Sequence, residues 1–209
     1  MIEQKIKQFF DPYIQIPIEA WCGFSKYLVP FEFKKNEIIK QTDKNENYLH
    51  LIISGSAGLF VYKDGHDICI DLCYEGQFTG DYFSLLVQQS NFAHLDEKSE
   101  ISNLLKKPSP IYVMALEPLE TLAISKEDLF TLYEQSEIGG KIARMVGEVL
   151  FMQKQQQQIE LLTQTAEQRY KVLLEFQPNI LQRTASKHIA SYLGITPESF
   201  SRIRKKIFD

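Results

Sequence analysis

The chain has 209 residues, a formal net charge of −4 at pH 7, and 44% hydrophobic and 24% charged residues. This length allows one or two domains, and the composition is typical of a globular protein with a hydrophobic core. Aromatic residues make up 12% of the chain, which excludes disorder throughout. No window reaches the roughly 18 apolar residues of a membrane helix, and no apolar signal segment opens the chain. We therefore expect a cytoplasmic protein with no membrane partner.

Charge is divided unevenly along the sequence. Residues 169–209 contain eight Lys and Arg against three Asp and Glu, a net charge of +5. Residues 1–168 contain 15 Lys and Arg against 24 Asp and Glu, a net charge of −9. A basic end on an acidic body indicates that the C-terminal region binds a polyanion. The alternative is a charged helix face that contacts only water.

Catalytic and metal-binding patterns are missing from the sequence. Cys69 and Cys73 lie on one alternating β run, where they would be about 13 Å apart, too far to share one ion. We interpret them as buried structural cysteines, with a ligand cluster as the alternative. An iron–sulfur sensor would need an N-terminal cysteine cluster, and an enzyme of the hydrolase or P-loop type would need a nucleophile elbow or a phosphate loop. We expect no metal, no iron–sulfur cluster and no enzymatic activity.

Short strands dominate the body of the chain. Residues 1–28 have apolar positions at helical spacing with a break at Pro12, which predicts short helices. From Val29 to Ile124, apolar residues alternate in short runs about ten residues apart, separated by turn clusters rich in Gly, Asn and Asp. This pattern predicts an antiparallel barrel or sandwich. Ser125 then precedes Asp128 as the cap of a short helix.

One long helix is predicted from about Glu137 to Thr165, where proline is absent and apolar residues recur at heptad spacing. A narrow seam of this kind favours pairing with a second copy of the chain, and the alternative is a helix buried only on its own body. The seam positions predicted to form the dimer interface are Ile138, Ile142, Met145, Val149, Met152 and Ile159.

The segment 184–206 has the pattern of a helix-turn-helix, after a short helix over 169–176 that ends before Pro178. Two helices that cross closely need a small residue at their contact, which is Ala190, and a turn residue that tolerates positive φ, which is Gly194. Thr196 is the predicted N-cap of the second helix and Pro197 its first residue. The alternative is an ordinary helical hairpin.

The second helix, predicted over 196–207, has a face that can read base pairs. Glu198, Ser201 and Arg202 lie at i, i+3 and i+4 on that face. Arginine can bond guanine bidentately, and glutamate can accept a hydrogen bond from cytosine. A further set of side chains is placed to contact phosphates, which sets affinity and register. This set is Thr184, Ser186, Thr196, Ser199, Arg204, Lys205 and Lys206.

Over nearly its full length the chain resembles the transcription regulators of the Crp/Fnr type, the superfamily of the cAMP receptor protein. The residues that carry the resemblance are the segments 48–56, 76–81 and 189–202, together with the long helix. The resemblance implies an α+β fold: an N-terminal β-roll, which is the double-stranded β-helix of cyclic-nucleotide-binding domains, a long dimerisation helix and a C-terminal winged-helix-type helix-turn-helix domain. It places the sensor domain at 1–136, the dimerisation helix at 137–166 and the DNA-binding domain at 167–209.

The same resemblance implies a function. It predicts a homodimer that binds double-stranded DNA sequence-specifically at an inverted repeat, with RNA polymerase as a further partner. Glu198 and Arg202 match the family's base-reading glutamate and arginine. The alternative function is a ligand-binding sensor that acts through protein contacts and not through DNA.

The sensor site departs from the family pattern. The resemblance places this site at Gly80, Asp81, Tyr82, Ser109 and Pro110. Asp81 replaces a longer glutamate that binds the ribose, and Ser109 and Pro110 fall where an arginine pairs with the cyclic phosphate. A buried phosphate without such a partner is poorly held.

We therefore expect that the protein does not bind cAMP in the usual way, and its effector is unknown. The alternative is that Lys106 or Lys107 pairs with the phosphate as a flexible point charge.

Overall fold

The computed structural model describes residues 2–87, 96 and 99–208. The helices in chain order are α1 (Ile2–Phe10), α2 (Ile18–Ser25), α3 (Tyr82–Val87), α4 (Glu100–Leu105), α5 (Lys126–Gln135), α6 (Glu137–Thr163), α7 (Ala166–Phe176), α8 (Ile180–Arg183), α9 (Ser186–Tyr192) and α10 (Pro197–Phe208). The strands are β1 (Leu28–Phe33), β2 (Ile38–Lys40), β3 (Tyr48–Ser54), β4 (Ala57–Lys63), β5 (His66–Cys73), β6 (Phe78–Thr79), β7 (Ile111–Ala115) and β8 (Leu119–Ser125).

These elements form two compact units. The first comprises Met1–Val29 and Ile124–Pro178, and the second comprises Pro30–Ala123 and Asn179–Asp209. The helix-turn-helix segment therefore belongs to the same compact unit as most of the β-strands. No helix among the described residues has both the length and the apolar character that crossing a membrane requires.

The first unit is helical. Trp21 of α2 is buried and stacks on Phe10 of α1, with ring centroids 5.0 Å apart. The predicted cap of α5 is confirmed, because the Asp128 N–H donates to Ser125 Oγ at 3.1 Å. The long helix is also confirmed as α6, which spans 27 residues.

The start predicted for α7 at Arg169 is wrong by three residues. The helix begins at Ala166 because Thr165 and Gln168 form a capping box, in which each side chain bonds the other's backbone N–H. A capping box satisfies N–H groups that the first helical turn leaves without partners.

The second unit contains two four-stranded sheets. Their strand orders are β1-β8-β3-β6 and β2-β7-β4-β5, and the pairs β2–β7, β3–β6, β4–β5 and β4–β7 are antiparallel. Buried side chains such as Ile52, Leu59 and Val113 pack into one core cluster. The predicted strands are present, and the two-residue strand β6 is additional to them.

The turn between β3 and β4 requires a glycine. Gly55 has a φ of +92°, and a Cβ at this position would lie 2.2 Å from the carbonyl oxygen of Pro118. Only a residue without a side chain fits a backbone that is both left-handed and this close to another chain segment.

Helices α8, α9 and α10 complete the second unit. The predicted winged-helix domain would include β-strands, but the elements described from Ala166 to Phe208 are all helices. The segment between α7 and α9 forms the short helix α8.

Candidate nucleic-acid interface

The turn between α9 and α10 has the geometry that the sequence predicts. Gly194 has a φ of +68°, and the Ile195 N–H donates to the Ala190 carbonyl at 3.0 Å. Ala190 is completely buried where the two helices meet, together with Leu193 and Phe200. This small core holds α10 against α9.

The N-terminus of α10 is capped as predicted. Thr196 Oγ1 accepts a hydrogen bond from the Ser199 N–H at 3.2 Å, and Pro197 is the first helical residue. The pKa of Glu198 is lowered by a hydrogen bond from its own backbone N–H and by the Thr196 hydroxyl, with a smaller contribution from Arg202. Glu198 is therefore a carboxylate at neutral pH.

The structure brings the three predicted base-reading residues together on one exposed face. Glu198, Ser201 and Arg202 are all exposed on the first turns of α10. Arg202 donates to Ser199 Oγ at 3.5 Å, a contact on the same helix that leaves its guanidinium accessible. A carboxylate acceptor and a guanidinium donor thus point away from the protein core.

The predicted phosphate contacts divide into accessible and inaccessible residues. Ser186, Thr196, Arg204, Lys205 and Lys206 are exposed, and Ser199 is half-buried. Thr184 is buried, and its hydroxyl lies 3.0 Å from the hydroxyl of Tyr74. In this conformation Thr184 is not available to a phosphate, because its hydroxyl is enclosed within the second unit.

The predicted effector site contains a buried ion pair. Asp81 is buried, and its Oδ2 accepts a hydrogen bond from Lys40 Nζ at 2.8 Å. Its Oδ1 accepts from the Ser84 N–H at 3.1 Å in the first turn of α3. Lys40 Nζ also donates to the Ile111 carbonyl at 2.6 Å. Both carboxylate oxygens of Asp81 are therefore already engaged within the protein.

A second carboxyl group, Glu46, lies beside this pair, and the sequence offered no signal for it. Glu46 Oε2 accepts the Asp81 N–H at 3.0 Å, and its Oε1 accepts the N–H groups of Asn47 and Tyr48. Burial raises the pKa of Glu46 above its usual value. Gly80 fits beside it with a φ of +138°, where a Cβ would lie 3.4 Å from Glu46 Oε2.

The remaining predicted effector residues are spread from the surface to the interior. Ser109 is buried, and its hydroxyl oxygen accepts the Ile111 N–H at 3.3 Å. Tyr82 is half-buried, whereas Pro110, Lys106 and Lys107 are exposed.

Aromatic side chains surround a buried histidine in the first sheet. Phe31, Phe33 and Tyr48 lie with their ring centroids 5.4, 5.7 and 6.1 Å from that of His50. His50 Nδ1 lies 2.9 Å from Thr121 Oγ1. Burial lowers the pKa of His50 to about 4, so the ring is neutral at physiological pH.

The predicted dimer residues differ in exposure along α6. Ile142 is buried within its own chain, so it is not accessible to a partner. Ile138, Met145 and Val149 are half-buried. Met152 and Ile159 are exposed, by 58% and 48%. The accessible part of the predicted seam is therefore its C-terminal half.

Among the described residues, neither the two predicted cysteines nor a metal-binding group forms part of this interface. Cys69 and Cys73 are buried, as the sequence predicts. Among residues 2–87, 96 and 99–208, no group of three or more His, Cys, Asp or Glu side chains is placed to hold a metal ion.

No protein-family model and no curated protein matches the sequence of this chain. It is similar in structure to FixK2 from Bradyrhizobium japonicum, with a TM-score of 0.64 and 17% identity over 86% of this chain and 84% of that chain. It is also similar to the c-di-GMP-responsive global regulator CLP of Xanthomonas campestris, with a TM-score of 0.61 and 15% identity over 91% of each chain.

A third similar structure is the catabolite activator protein of Thermus thermophilus, with a TM-score of 0.54 and 20% identity over 95% of this chain and 85% of that chain. These neighbours are Crp/Fnr-family regulators. CLP is by name a global regulator, and the Thermus protein is by name a catabolite activator. The similarity confirms the predicted α+β fold, with an N-terminal β-sheet domain and a C-terminal helical region.

The buried histidine leads to a prediction about acid stability. The unfolded chain binds a proton at His50 near the ordinary pKa of 6.5, whereas the folded protein binds it only near 4. Stability from this residue is therefore present above pH 6.5 and is lost as the pH falls towards 4.

In urea unfolding between about pH 7.5 and pH 4.5, we expect the wild type to lose about 2–3 kcal/mol more stability than His50→Asn, which retains a polar partner for Thr121. Equal losses in the two proteins would show that folding does not lower the pKa of His50.

Proposed function

We propose that this chain, which has the Crp/Fnr-type fold, is a homodimeric transcription regulator that binds double-stranded DNA sequence-specifically and reads an inverted repeat through α10. The observation that carries the proposal is the exposure of Glu198, Ser201 and Arg202 on the first turns of a capped helix that α9 holds in place. In this proposal residues 1–136 form the sensor domain, 137–166 the dimerisation helix and 167–209 the DNA-binding domain.

Chemistry supports base reading by these residues. The guanidinium of Arg202 can donate two hydrogen bonds to guanine O6 and N7, and the ionised Glu198 can accept from the cytosine amino group. A helix of the dimensions of α10 fits the major groove, and its N-terminal residues are those that meet base edges in helix-turn-helix proteins.

Electrostatics supports the same assignment. The exposed Arg204, Lys205 and Lys206 cluster in the last turns of α10, within a C-terminal region whose net charge is +5. Cations of this kind neutralise phosphates and release counterions, which supplies affinity without sequence preference. We place this activity in the cytoplasm, with RNA polymerase as the further partner.

Two substitutions in α10 distinguish base-specific contacts from charge attraction to phosphates. Arg202→Ala is expected to cost about 1–3 kcal/mol on an inverted repeat selected by the wild type and to relax one base position in each half-site. Lys205→Ala is expected to weaken selected and random DNA alike and to lower the slope of log K against log salt by about one for each chain. Fluorescence anisotropy at several salt concentrations measures both effects.

Lys205→Ala is the matched control for Arg202→Ala, since each removes one positive charge from the same helix. Equal weakening on both DNAs by Arg202→Ala would contradict its role as a base reader.

An apolar stripe on α6 supports the homodimer. Phe151, Met152, Ile159 and Leu162 are exposed by 68%, 58%, 48% and 76%. At about 100° per residue these four side chains fall within an arc of about 100° on one side of the helix. Exposed leucine, isoleucine and phenylalanine side chains on one stripe are stabilised when a second copy covers them.

A charge within the stripe tests the dimer. We expect Ile159→Glu to dissociate the dimer at micromolar concentration, because the new carboxylate would be buried in the interface with the second copy of the chain. Leu161→Glu is the control, since Leu161 is exposed by 56% on the same helix but lies about 160° around the helix axis from Ile159 and outside the stripe. Sedimentation velocity measures the mass. A wild type that is monomeric, or an Ile159→Glu variant that stays dimeric, would contradict the assignment.

The effector site supports a sensor that does not bind cAMP in the usual way. Asp81 is buried and paired with Lys40, so a ribose hydroxyl could reach its carboxylate only after the groups that cover it moved, and breaking a buried ion pair leaves an uncompensated charge. The neighbouring Glu46 side chain offers no positive charge to a phosphate.

Calorimetry with cAMP tests this assignment. We expect no saturable heat up to millimolar cAMP, and no rise in the melting temperature, which a bound ligand would cause by mass action. Saturable binding at micromolar concentration would refute the assignment. Binding that disappears in Lys106→Ala or Lys107→Ala would show that a flexible lysine replaces the missing arginine.

A further inference from the structure

The helix-turn-helix contacts the β-roll within the second compact unit. This contact is made by α8, α9 and the residues between them on one side, and by β4, β5 and the turns that follow β5 and β7 on the other. Three sets of interactions between described residues make up this contact as it is discussed below. Each set joins residues more than 60 positions apart in the sequence.

The first interaction covers a sheet edge. Strand β5 is the outermost strand of its sheet, so one row of its backbone groups faces away from the other strands. The Cys69 N–H donates to Ser191 Oγ at 2.8 Å, and the Ser191 hydroxyl lies 3.3 Å from the Asp67 carbonyl, to which it donates. A single side chain of α9 thus satisfies a donor and an acceptor that a neighbouring strand would otherwise occupy.

The second interaction is buried. The hydroxyl groups of Tyr74 and Thr184 are 3.0 Å apart, and both residues are buried. His188 of α9 is also buried and meets Phe60 of β4 edge to face, with ring centroids 4.9 Å apart. These contacts exclude water from the middle of the interface.

The third interaction is a clasp made by one guanidinium group and two carboxylates. Arg183 donates to both oxygens of Glu75, at 2.9 and 2.6 Å, and to Glu117 Oε1 from Nε at 3.0 Å and from Nη2 at 2.7 Å. Although burial opposes it, hydrogen bonding to Arg183 lowers the pKa of Glu75. The same guanidinium lies over the Tyr74 ring, 5.1 Å from its centroid.

Both carboxylates of the clasp are themselves fixed to the roll. Glu75 Oε1 accepts the Gly55 N–H at 2.9 Å, and Glu117 Oε1 accepts the Ser56 hydroxyl at 2.7 Å. The clasp therefore ties α8 to the backbone of a tight turn, and not to mobile surface side chains. Bidentate pairing of this kind fixes orientation as well as distance.

The reading face of α10 lies outside this contact. Glu198, Ser201 and Arg202 are exposed while Thr184, His188 and Arg183 face the roll. The roll thus holds the helix-turn-helix without covering the side chains that read bases.

We propose that Arg183 is a positioning residue: by clasping Glu75 and Glu117 it fixes the orientation of the helix-turn-helix on the β-roll, and so restricts the half-site spacing that the dimer accepts. The proposal rests on the proposed DNA-binding function. Adding or removing one base pair between half-sites rotates one of them by about 34–36° about the DNA axis. A reading helix that is clasped to the roll can follow this rotation only together with the rest of the second unit, whereas a loosely attached one can follow it alone.

The experiment measures affinity for inverted repeats whose half-site spacing is varied one base pair at a time. We expect the wild type to prefer one spacing by about tenfold or more over spacings one base pair longer or shorter. In Arg183→Met we expect the affinity to depend less on the spacing. The preference for particular bases within each half-site should stay the same. Arg183→Lys retains a cation between the two carboxylates but loses the bidentate geometry, so it should restore only part of the preference.

Lys171→Met is the matched control, because it also removes one positive charge from the C-terminal region but comes from an exposed pair with Glu167 on α7. An Arg183→Met variant with the wild-type spacing profile would overturn the proposal. A wild type that binds no DNA sequence selectively would instead refute the proposed function.

A measurement without DNA keeps the proposal falsifiable on its own. In the wild-type protein we expect slow hydrogen exchange of the Cys69 amide, which Ser191 covers, and at least about tenfold faster exchange in Arg183→Met. Circular dichroism checks that the variant is folded, and Glu117→Gln, which removes one carboxylate of the clasp, serves as a second variant if it is not. Rapid exchange of this amide in the wild type would show that the helix-turn-helix is not held on the roll.

Discussion

The close crossing of α9 and α10 is the constraint on which the proposed function depends. Ala190 is small enough for the helices to touch, and Gly194 adopts the positive φ that turns the chain between them. Phe200 can then be buried on one side of α10, which forces Glu198, Ser201 and Arg202 to the opposite, exposed side. A larger residue at Ala190 would push the helices apart, and a residue with a Cβ at Gly194 would strain the turn between them.

Three buried charged side chains of the β-roll, Lys40, Glu46 and Asp81, find their partners within the protein. Lys40 and Asp81 neutralise each other, and backbone N–H groups hold the Glu46 carboxyl. A buried ion pair of this kind contributes less to net stability than to the choice of one arrangement. It fixes the start of α3 through the Ser84 N–H, at the place where the resemblance predicts an effector. The predicted effector site is therefore ordered by side chains of the chain itself.

Features with local signals could be predicted from the sequence. Gly194, Thr196 and Ser125 occupy turn or cap positions whose chemistry is decided by their near neighbours. Lys40, Glu46 and Arg183 could not be predicted, because their partners lie 41, 35 and up to 108 residues away. The heptad pattern of α6 predicts an apolar stripe, but it does not distinguish Ile142, which its own chain buries, from Ile159, which is exposed. Periodicity identifies a face of a helix and not the element that covers it.

Selection of binding sites from a randomised pool of double-stranded DNA tests the central claim most directly. Two identical reading helices related by a two-fold axis should enrich an inverted repeat whose half-site centres lie about 34 Å, or one helical turn, apart. Enrichment of such a repeat, with guanine or cytosine at the positions that contact Arg202 and Glu198, is the predicted result. A pool that stays random through successive rounds, although the protein is folded and dimeric, would contradict the account.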